Sequence, residues 1–380
     1  MSESHRRAWT LSPQAIRRSV IISLVAGAAA VAALLLLVRD GDEAIEQIRL
    51  VDPLWLAVAG GLTLAAWLLR TWRSQILAAA FGARVPARRV LRYYLASAFV
   101  SHVTPTSAGG VPVFIYLLTR EGLSAGHATA VAVVDTGLVM LWLLAAWLPV
   151  AVWKGLAARV GSPGLTAAVV ATLVAVAVLV GWMLAKPRAV PALLMRWLAR
   201  SRARGGRVLG RRWASALVKE SLRFSVGLRY LVLRRPWHLL AATILTGLYW
   251  VVYLSIAWAV LVGLGGRADW VYAAAAQLVF NILQPFIPTP GGSGGAELMM
   301  AWLFRRVVPA SRLAVFVGVW RIFIFYASLV VGGVMFVRSL GDRGLRPGPA
   351  PAGGRVPLQP AGGAAGDRGG RAPAPAEPPS

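Results

Sequence analysis

Pro288-Thr289-Pro290-Gly291-Gly292-Ser293-Gly294-Gly295-Ala296-Glu297 interrupts an apolar stretch that starts at Val271 and resumes at Leu298. Two prolines and four glycines in ten residues do not continue a helix. The segment before the break, Val271 to Ile287, rises about 25 Å as a helix against a hydrocarbon core of roughly 30 Å. A re-entrant hairpin and a nearly complete broken span both fit that length.

A second break of the same kind occurs earlier, at Thr104-Pro105-Thr106-Ser107-Ala108-Gly109-Gly110. Tyr93 to Val103 rises about 16 Å and Val111 to Leu118 about 12 Å, so neither half crosses and a re-entrant hairpin is expected. Each break is followed by a short helical piece, a charged connection and a long span. Ser124 to Thr136 then matches Pro309 to Arg321, with Asp135 against Trp320 and Thr136 against Arg321.

Irregular backbone at membrane depth persists only against protein or a watery cavity. Half-helices that begin after glycines aim their N–H groups into such a cavity, which suits phosphate or carboxylate. The candidate substrate-binding positions are therefore Thr289, Gly291, Gly292, Gly294 and Gly295 in one break and Thr104, Thr106, Gly109 and Gly110 in the other. The alternative is that the glycines serve only close packing or a kink.

The rest of the chain sets these breaks in a membrane. Of 380 residues 58% are hydrophobic and 14% charged, the mean hydropathy is +0.65, and the apolar residues form runs of span length. Full spans are expected at Val20 to Val38, Pro53 to about Arg70–Arg73, Gly126 to Val152, Gly164 to Ala185, Trp237 to Val262 and Arg312 to Val337. The fold class is all-α: a polytopic integral membrane helix bundle with two broken or re-entrant helices in inverted repeats.

The net charge of +26 reads as the orientation signal of a membrane protein rather than a nucleic-acid surface. Residues 1–19 and the basic connection 186–235 are expected in the cytoplasm, the latter as amphipathic helices on the inner face. The acidic connection Arg39 to Asp52 is expected outside. Counting spans puts the first hairpin on the inner face and the second on the outer, although Arg305, Arg306 and Arg312 then lie outside, against the positive-inside bias. Residues 339–380, rich in Pro, Gly, Ala and Arg, are expected to be a disordered cytoplasmic tail. The location is the cytoplasmic membrane of a prokaryote, with both termini inside.

No cysteine is present, and the four histidines lack ligand spacing, so neither a metal nor another cofactor is expected. The absence of a phosphate-cradling Gly-x-x-x-x-Gly-Lys-Ser/Thr motif argues against ATP as direct driver. An ionisable group inside a span is a functional candidate, because it is costly without a partner or water. Three stand out: Arg321 and Glu297 as headgroup-binding residues, and Asp135 as a coupling or structural charge. The alternative is static pairing, of Arg321 with Glu297 or of Arg321 with Asp135. Arg120 and Glu121 suit an interfacial position.

The run Pro290 to Glu297 followed by Arg321, with the earlier Gly109-Gly110-Val111-Pro112, Tyr116-Leu117-Leu118 and Gly122-Leu123-Ser124, resembles the lysylphosphatidylglycerol synthase transmembrane-region family of flippase-like proteins. The resemblance covers about Val20 to Arg338. Where many members carry an acidic residue and an arginine in the first motif this chain has Val111 and Phe114, and Thr136 stands where an arginine often follows the aspartate. The resemblance implies translocation, by a flippase or scramblase, of an anionic phospholipid, glycolipid or polyprenyl-phosphate carrier. The fused bacterial enzymes of this kind carry a soluble aminoacyltransferase domain, and none is expected after Arg338. The alternatives are a membrane transferase on a lipid-linked sugar or phospholipid, and an accessory partner of an envelope-lipid synthase. The expected partners are membrane lipids and envelope-lipid biosynthetic enzymes, without nucleic acid.

Overall fold

The computed structural model describes residues 51–104, 107–152, 163–203, 211–266, 269–287 and 289–341. Among them regular structure is entirely helical, and five helices are long and apolar enough to cross a membrane. The expected first span, most of the acidic connection, Pro105, Thr106, Pro288 and the tail from 342 lie outside the described residues.

Helix α1 spans Pro53–Ala79. Asp52 caps it by accepting from the Leu54 N–H at 2.8 Å, with Pro53 in the first turn where a missing N–H costs nothing. The sequence reading ended this span near Arg70–Arg73. The helix runs on to Ala79 because Arg73 is not at an interface: it is fully buried and has found a counter-ion in another helix.

Helices α2 (Ala87–Val103) and α3 (Gly110–Thr119) flank the first break, and the long α4 (Ala125–Val152) follows. Then come α5 (Pro163–Ala185), α6 (Ala189–Ala203), α7 (Arg211–Arg234) and α8 (Pro236–Gly263). Helices α9 (Trp270–Leu283) and α10 (Gly295–Phe304) flank the second break. The last span is α11 (Ala310–Arg321), one π turn (Ile322–Tyr326) and α12 (Ala327–Gly341).

Both breaks are hairpins, not kinks. The 17 and 10 residues of α2 and α3 rise about 25 and 15 Å, and the 14 and 10 of α9 and α10 about 21 and 15 Å. At the base of the first hairpin Arg89 and Tyr93, early in α2, both bind Glu121, just past α3, with the Arg89 Nη1 to Glu121 Oε2 distance 3.0 Å. At the base of the second, the Tyr272 hydroxyl donates to the Leu303 carbonyl at 2.7 Å. Each chain segment thus returns to the face it entered from, which resolves the second break as re-entrant.

Contacts at the ends of the helices fix the two faces. The start of α1 meets the end of α8, where the Asp52 N–H donates to the Gly263 carbonyl at 2.9 Å and Trp55 packs edge-on to Trp258. Arg312, at the start of α11, donates to the Leu264 carbonyl at 2.7 Å, so the exit of the second hairpin lies on that same face. At the other face, Arg120 beside the first hairpin's base donates to the Ser339 carbonyl near the end of α12, at 2.9 Å. The hairpins therefore enter from opposite faces, as inverted units.

The basic connection is more than a surface helix. The Glu220 carboxylate of α7 accepts from the Gly126 N–H at the start of α4 at 2.6 Å, and Phe81 stacks on His127 at 4.8 Å beside α7. The core divides accordingly. One cluster gathers the first hairpin with Leu77, Phe114, Val131 and Leu231; another gathers the second with Phe280, Met300, Phe316 and Trp320. Phe99, Val100, Val103, Phe325 and Leu329 pack where the two meet.

Candidate functional site

The tips of the two hairpins touch. Gly291 has φ +61°, and a Cβ there would lie 3.2 Å from the carbonyl oxygen of His102, at the end of α2, and 2.2 Å from the Phe325 ring. Only glycine lets the second tip turn this tightly against the first. The His102 ring packs against Phe325 at 4.7 Å, and its Nε2 lies 2.8 Å from the Ser328 hydroxyl of α12. Phe325 belongs to the π turn, a local widening that recurs at functional sites.

Arg321 and Glu297 lie at this junction. Arg321 Nε donates to Glu297 Oε1 at 2.8 Å, Nη2 donates to the Gly291 carbonyl at 2.9 Å, and the guanidinium stands 4.2 Å over the Phe325 ring. The other carboxylate oxygen of Glu297 accepts from the Gly294 N–H at 2.8 Å. The anion at the N-terminus of α10 is thus the protein's own side chain. Arg321 is 2% exposed and Glu297 0%, so in this conformation the pair is sealed. It ties the hairpin tip to α11.

Of the tip hydroxyls, those of Thr104 and Thr289 are also engaged, while the buried Ser293 hydroxyl has no hydrogen-bond partner among the described residues. Thr104 donates to the Val100 carbonyl at 2.8 Å and accepts from the Gly109 N–H at 3.1 Å, while Thr289 donates to the Ser293 carbonyl at 2.8 Å. Gly110 packs on Ser101, Gly295 on Ile287, and Gly292 has φ +69°.

Asp135 lies elsewhere, between α1 and α4. It forms a two-pronged pair with Arg73: Nε to Oδ1 and Nη2 to Oδ2, both at 2.8 Å. The Ser74 hydroxyl adds a donor to Oδ1 at 2.8 Å, and Thr246 of α8 accepts from Arg73 Nη1 at 3.3 Å. A second arginine, Arg70, approaches Asp135 Oδ2 only to 3.8 Å. The guanidinium of Arg70 lies 4.8 Å from the Tyr94 ring and 5.8 Å from the Tyr249 ring. It borders a small cavity of about 40 Å³ lined also by Ser74, Tyr94, Ser97, Val111, Phe114 and Thr136.

Sequence reading singles out Asp135, Arg321 and Glu297 as charges inside spans, and all three are buried; of its two static pairings the structure has Arg321 with Glu297 and not with Asp135. It missed Arg70 and Arg73, taken as the end of a span. The available signal was a buried aspartate needing a counter-ion, and two arginines three residues apart on one helix face. Asp135 and Trp320 each lie ten residues after the first residue of their helix, as the repeat alignment expects. Among the described residues no group of three His, Asp or Glu is placed to hold a metal ion.

These features define a polytopic α-helical membrane protein with paired inverted re-entrant hairpins and buried charge pairs beside them. The model of the lysylphosphatidylglycerol synthase TM region matches residues 20–332, and the chain belongs to that family. It is also similar to a UPF0104 membrane protein of Archaeoglobus fulgidus, 26% identical over 311 residues that cover 82% of this chain and 94% of the relative. Val111, Phe114 and Thr136, where the resemblance expects charge, all line the Arg70 cavity.

Proposed function

We propose that this protein moves an anionic lipid between the leaflets of a prokaryotic cytoplasmic membrane, the headgroup passing along the protein while the tails stay in lipid. The observation that carries this reading is the meeting of two hairpins that enter from opposite faces. Where their tips touch, neither hairpin itself crosses from one face to the other. Parting the tips opens a polar path, and it frees Arg321 from Glu297 and the Gly291 carbonyl.

The freed Arg321 presents a planar fork that holds phosphate through two parallel hydrogen bonds. Glu297 then sets its position, and the backbone at Gly291, Gly292, Gly294, Gly295, Gly109 and Gly110, with Thr289 and Thr104, borders the passage. Tyr249 and Tyr253 of α8 stack at 5.5 Å, with Tyr249 also 5.8 Å from the Arg70 guanidinium. The face bearing Arg84, Arg88, Arg89 and Arg120 is taken as cytoplasmic.

The test is purified protein in liposomes carrying a fluorescent phosphatidylglycerol, with a membrane-impermeant quencher outside. Leaflet exchange is expected without nucleotide, slower in Arg321→Lys and slowest in Arg321→Ala. Exchange at the protein-free rate in the wild type, or full exchange in a folded Arg321→Ala, refutes the reading.

A further inference from the structure

Two guanidinium groups, Arg70 and Arg73, face one carboxylate, Asp135, inside the bundle. Both Asp135 oxygens are already taken by Arg73, and Ser74 adds a third hydrogen bond. Arg70 Nη2 at 3.8 Å is outside hydrogen-bond range, and Arg70 Nε is buried with no hydrogen-bond partner among the described residues. The cluster therefore holds one positive charge in surplus, and Arg70 carries it. An uncompensated cation at membrane depth is costly, and the cost is relieved by water or by an anion.

The geometry points to an oxyanion-binding site at Arg70, taking a phosphate group between α1 and the first hairpin. The side chain is oriented rather than free. The Tyr94 and Tyr249 rings flank the guanidinium at 4.8 and 5.8 Å and orient it. Its side chain is 27% exposed where that of Arg73 is 0%, so the surplus charge is the accessible one. The cavity it borders, about 40 Å³, is on the scale of one or two waters. That suits a single oxyanion whose oxygens replace those waters.

Val111, 41% exposed, forms the rim of the cavity. Its apolar side chain and that of Phe114 give the site one greasy wall; Ser74, Ser97, Thr136 and Asp135, whose carboxylate is already held by Arg73, supply the polar one. The Ser97 hydroxyl is spent on the Gly110 carbonyl at 2.8 Å and that of Ser74 on Asp135, so the charge of Arg70 dominates the attraction. An amphiphile fits such a wall: phosphate on Arg70, chains over Val111 toward the bilayer. The lipid form of the ligand rests on the translocation reading above; the oxyanion chemistry does not.

The experiment titrates dihexanoyl phosphatidylglycerol into the full-length protein in a neutral detergent, with inorganic phosphate as competitor. Arg70→Gln is expected to weaken binding at least about tenfold, the scale of a lost charged hydrogen bond. Val111→Trp keeps every charge but fills the rim, and is expected to weaken binding to a similar extent. Arg88→Gln, an exposed arginine on the same face, is expected to bind as wild type. Displacement of the lipid by millimolar phosphate supports the site and assigns it to free phosphate; retention supports it and assigns it to the headgroup. Wild-type affinity in folded Arg70→Gln and Val111→Trp overturns it, as does an equal loss in Arg88→Gln. A wild type that binds but moves no lipid sinks the translocation reading and leaves the site standing. Normal lipid movement with unaltered binding in Arg70→Gln does the reverse.

Discussion

Gly291→Ala tests the meeting of the hairpin tips directly. At φ +61° an L side chain is strained by about 1–3 kcal/mol before any neighbour is considered. The added Cβ would also lie 2.2 Å from Phe325 Cε2 and 2.6 Å from Cζ, where carbon atoms rest at about 3.5–4 Å. The ring or the tip must shift by more than about 1 Å, and overpacking of that kind costs about 1–3 kcal/mol more. Gly292→Ala is the control, since Gly292 has a similar φ of +69° but a built Cβ there meets only ordinary contacts, the nearest at 3.6 Å. Gly291→Ala should thus lose about 1–3 kcal/mol more stability than Gly292→Ala, and the excess should shrink in the Gly291→Ala/Phe325→Leu double variant, which lacks the obstructing ring atoms. The assay is thermal unfolding in mild detergent, followed by the fluorescence of the 16 tryptophans. Equal losses at the two glycines, or an excess untouched by Phe325→Leu, refute the contact.

Asp135→Asn should destabilise more than Arg73→Gln, because the first leaves two arginines unpaired whereas in the second Arg70 closes its 3.8 Å gap and takes over the carboxylate. Losing a partner from a buried pair costs about 3–5 kcal/mol, so the Asp135→Asn loss should fall in that range, read from the same melts, and the reverse order would deny Arg70 its reserve role. Single cysteines at Arg84 and Arg306, both exposed and in a chain without native cysteine, should react with an impermeant maleimide from opposite sides of sealed vesicles. Labelling of both from one side would undo the inverted arrangement of the hairpins.

Much of this architecture was legible because helix breakers in apolar stretches leave few solutions. Residues 104–110 and 288–297 both read as interruptions, and short flanking helices make a hairpin the economical answer for the first. The second stayed open because Val271 to Ile287 is nearly span-length, and no local rule says that the helix stops at Leu283 or that Tyr272 will meet Leu303. Glu297 was legible as the third residue of a helix after glycine, since that position favours a carboxylate. Arg73 was not. An arginine near the end of an apolar run normally marks an interface, and only the three-dimensional approach of α4 turns this one into a buried partner.

The inequality between the two charge clusters follows from where each acid sits. Glu297 belongs to the hairpin itself, so its pair with Arg321 closes locally, satisfies the Gly294 N–H and shuts the second tip against α11. Asp135 belongs to a full span and has to borrow its counter-ion from α1, where Arg70 and Arg73 lie three residues apart and face the same acid. One carboxylate cannot neutralise both. The one with better geometry, Arg73, is locked by two 2.8 Å bonds, and the other keeps its charge at the rim of a cavity. A closed pair contributes rigidity and specificity at the tip, whereas a surplus cation beside space contributes affinity for an anion. On the translocation reading proposed above, the two charge clusters are therefore unequal in role: the Glu297–Arg321 pair latches the second tip, and Arg70 of α1, beside the first hairpin, is the charge to which an anionic headgroup is drawn.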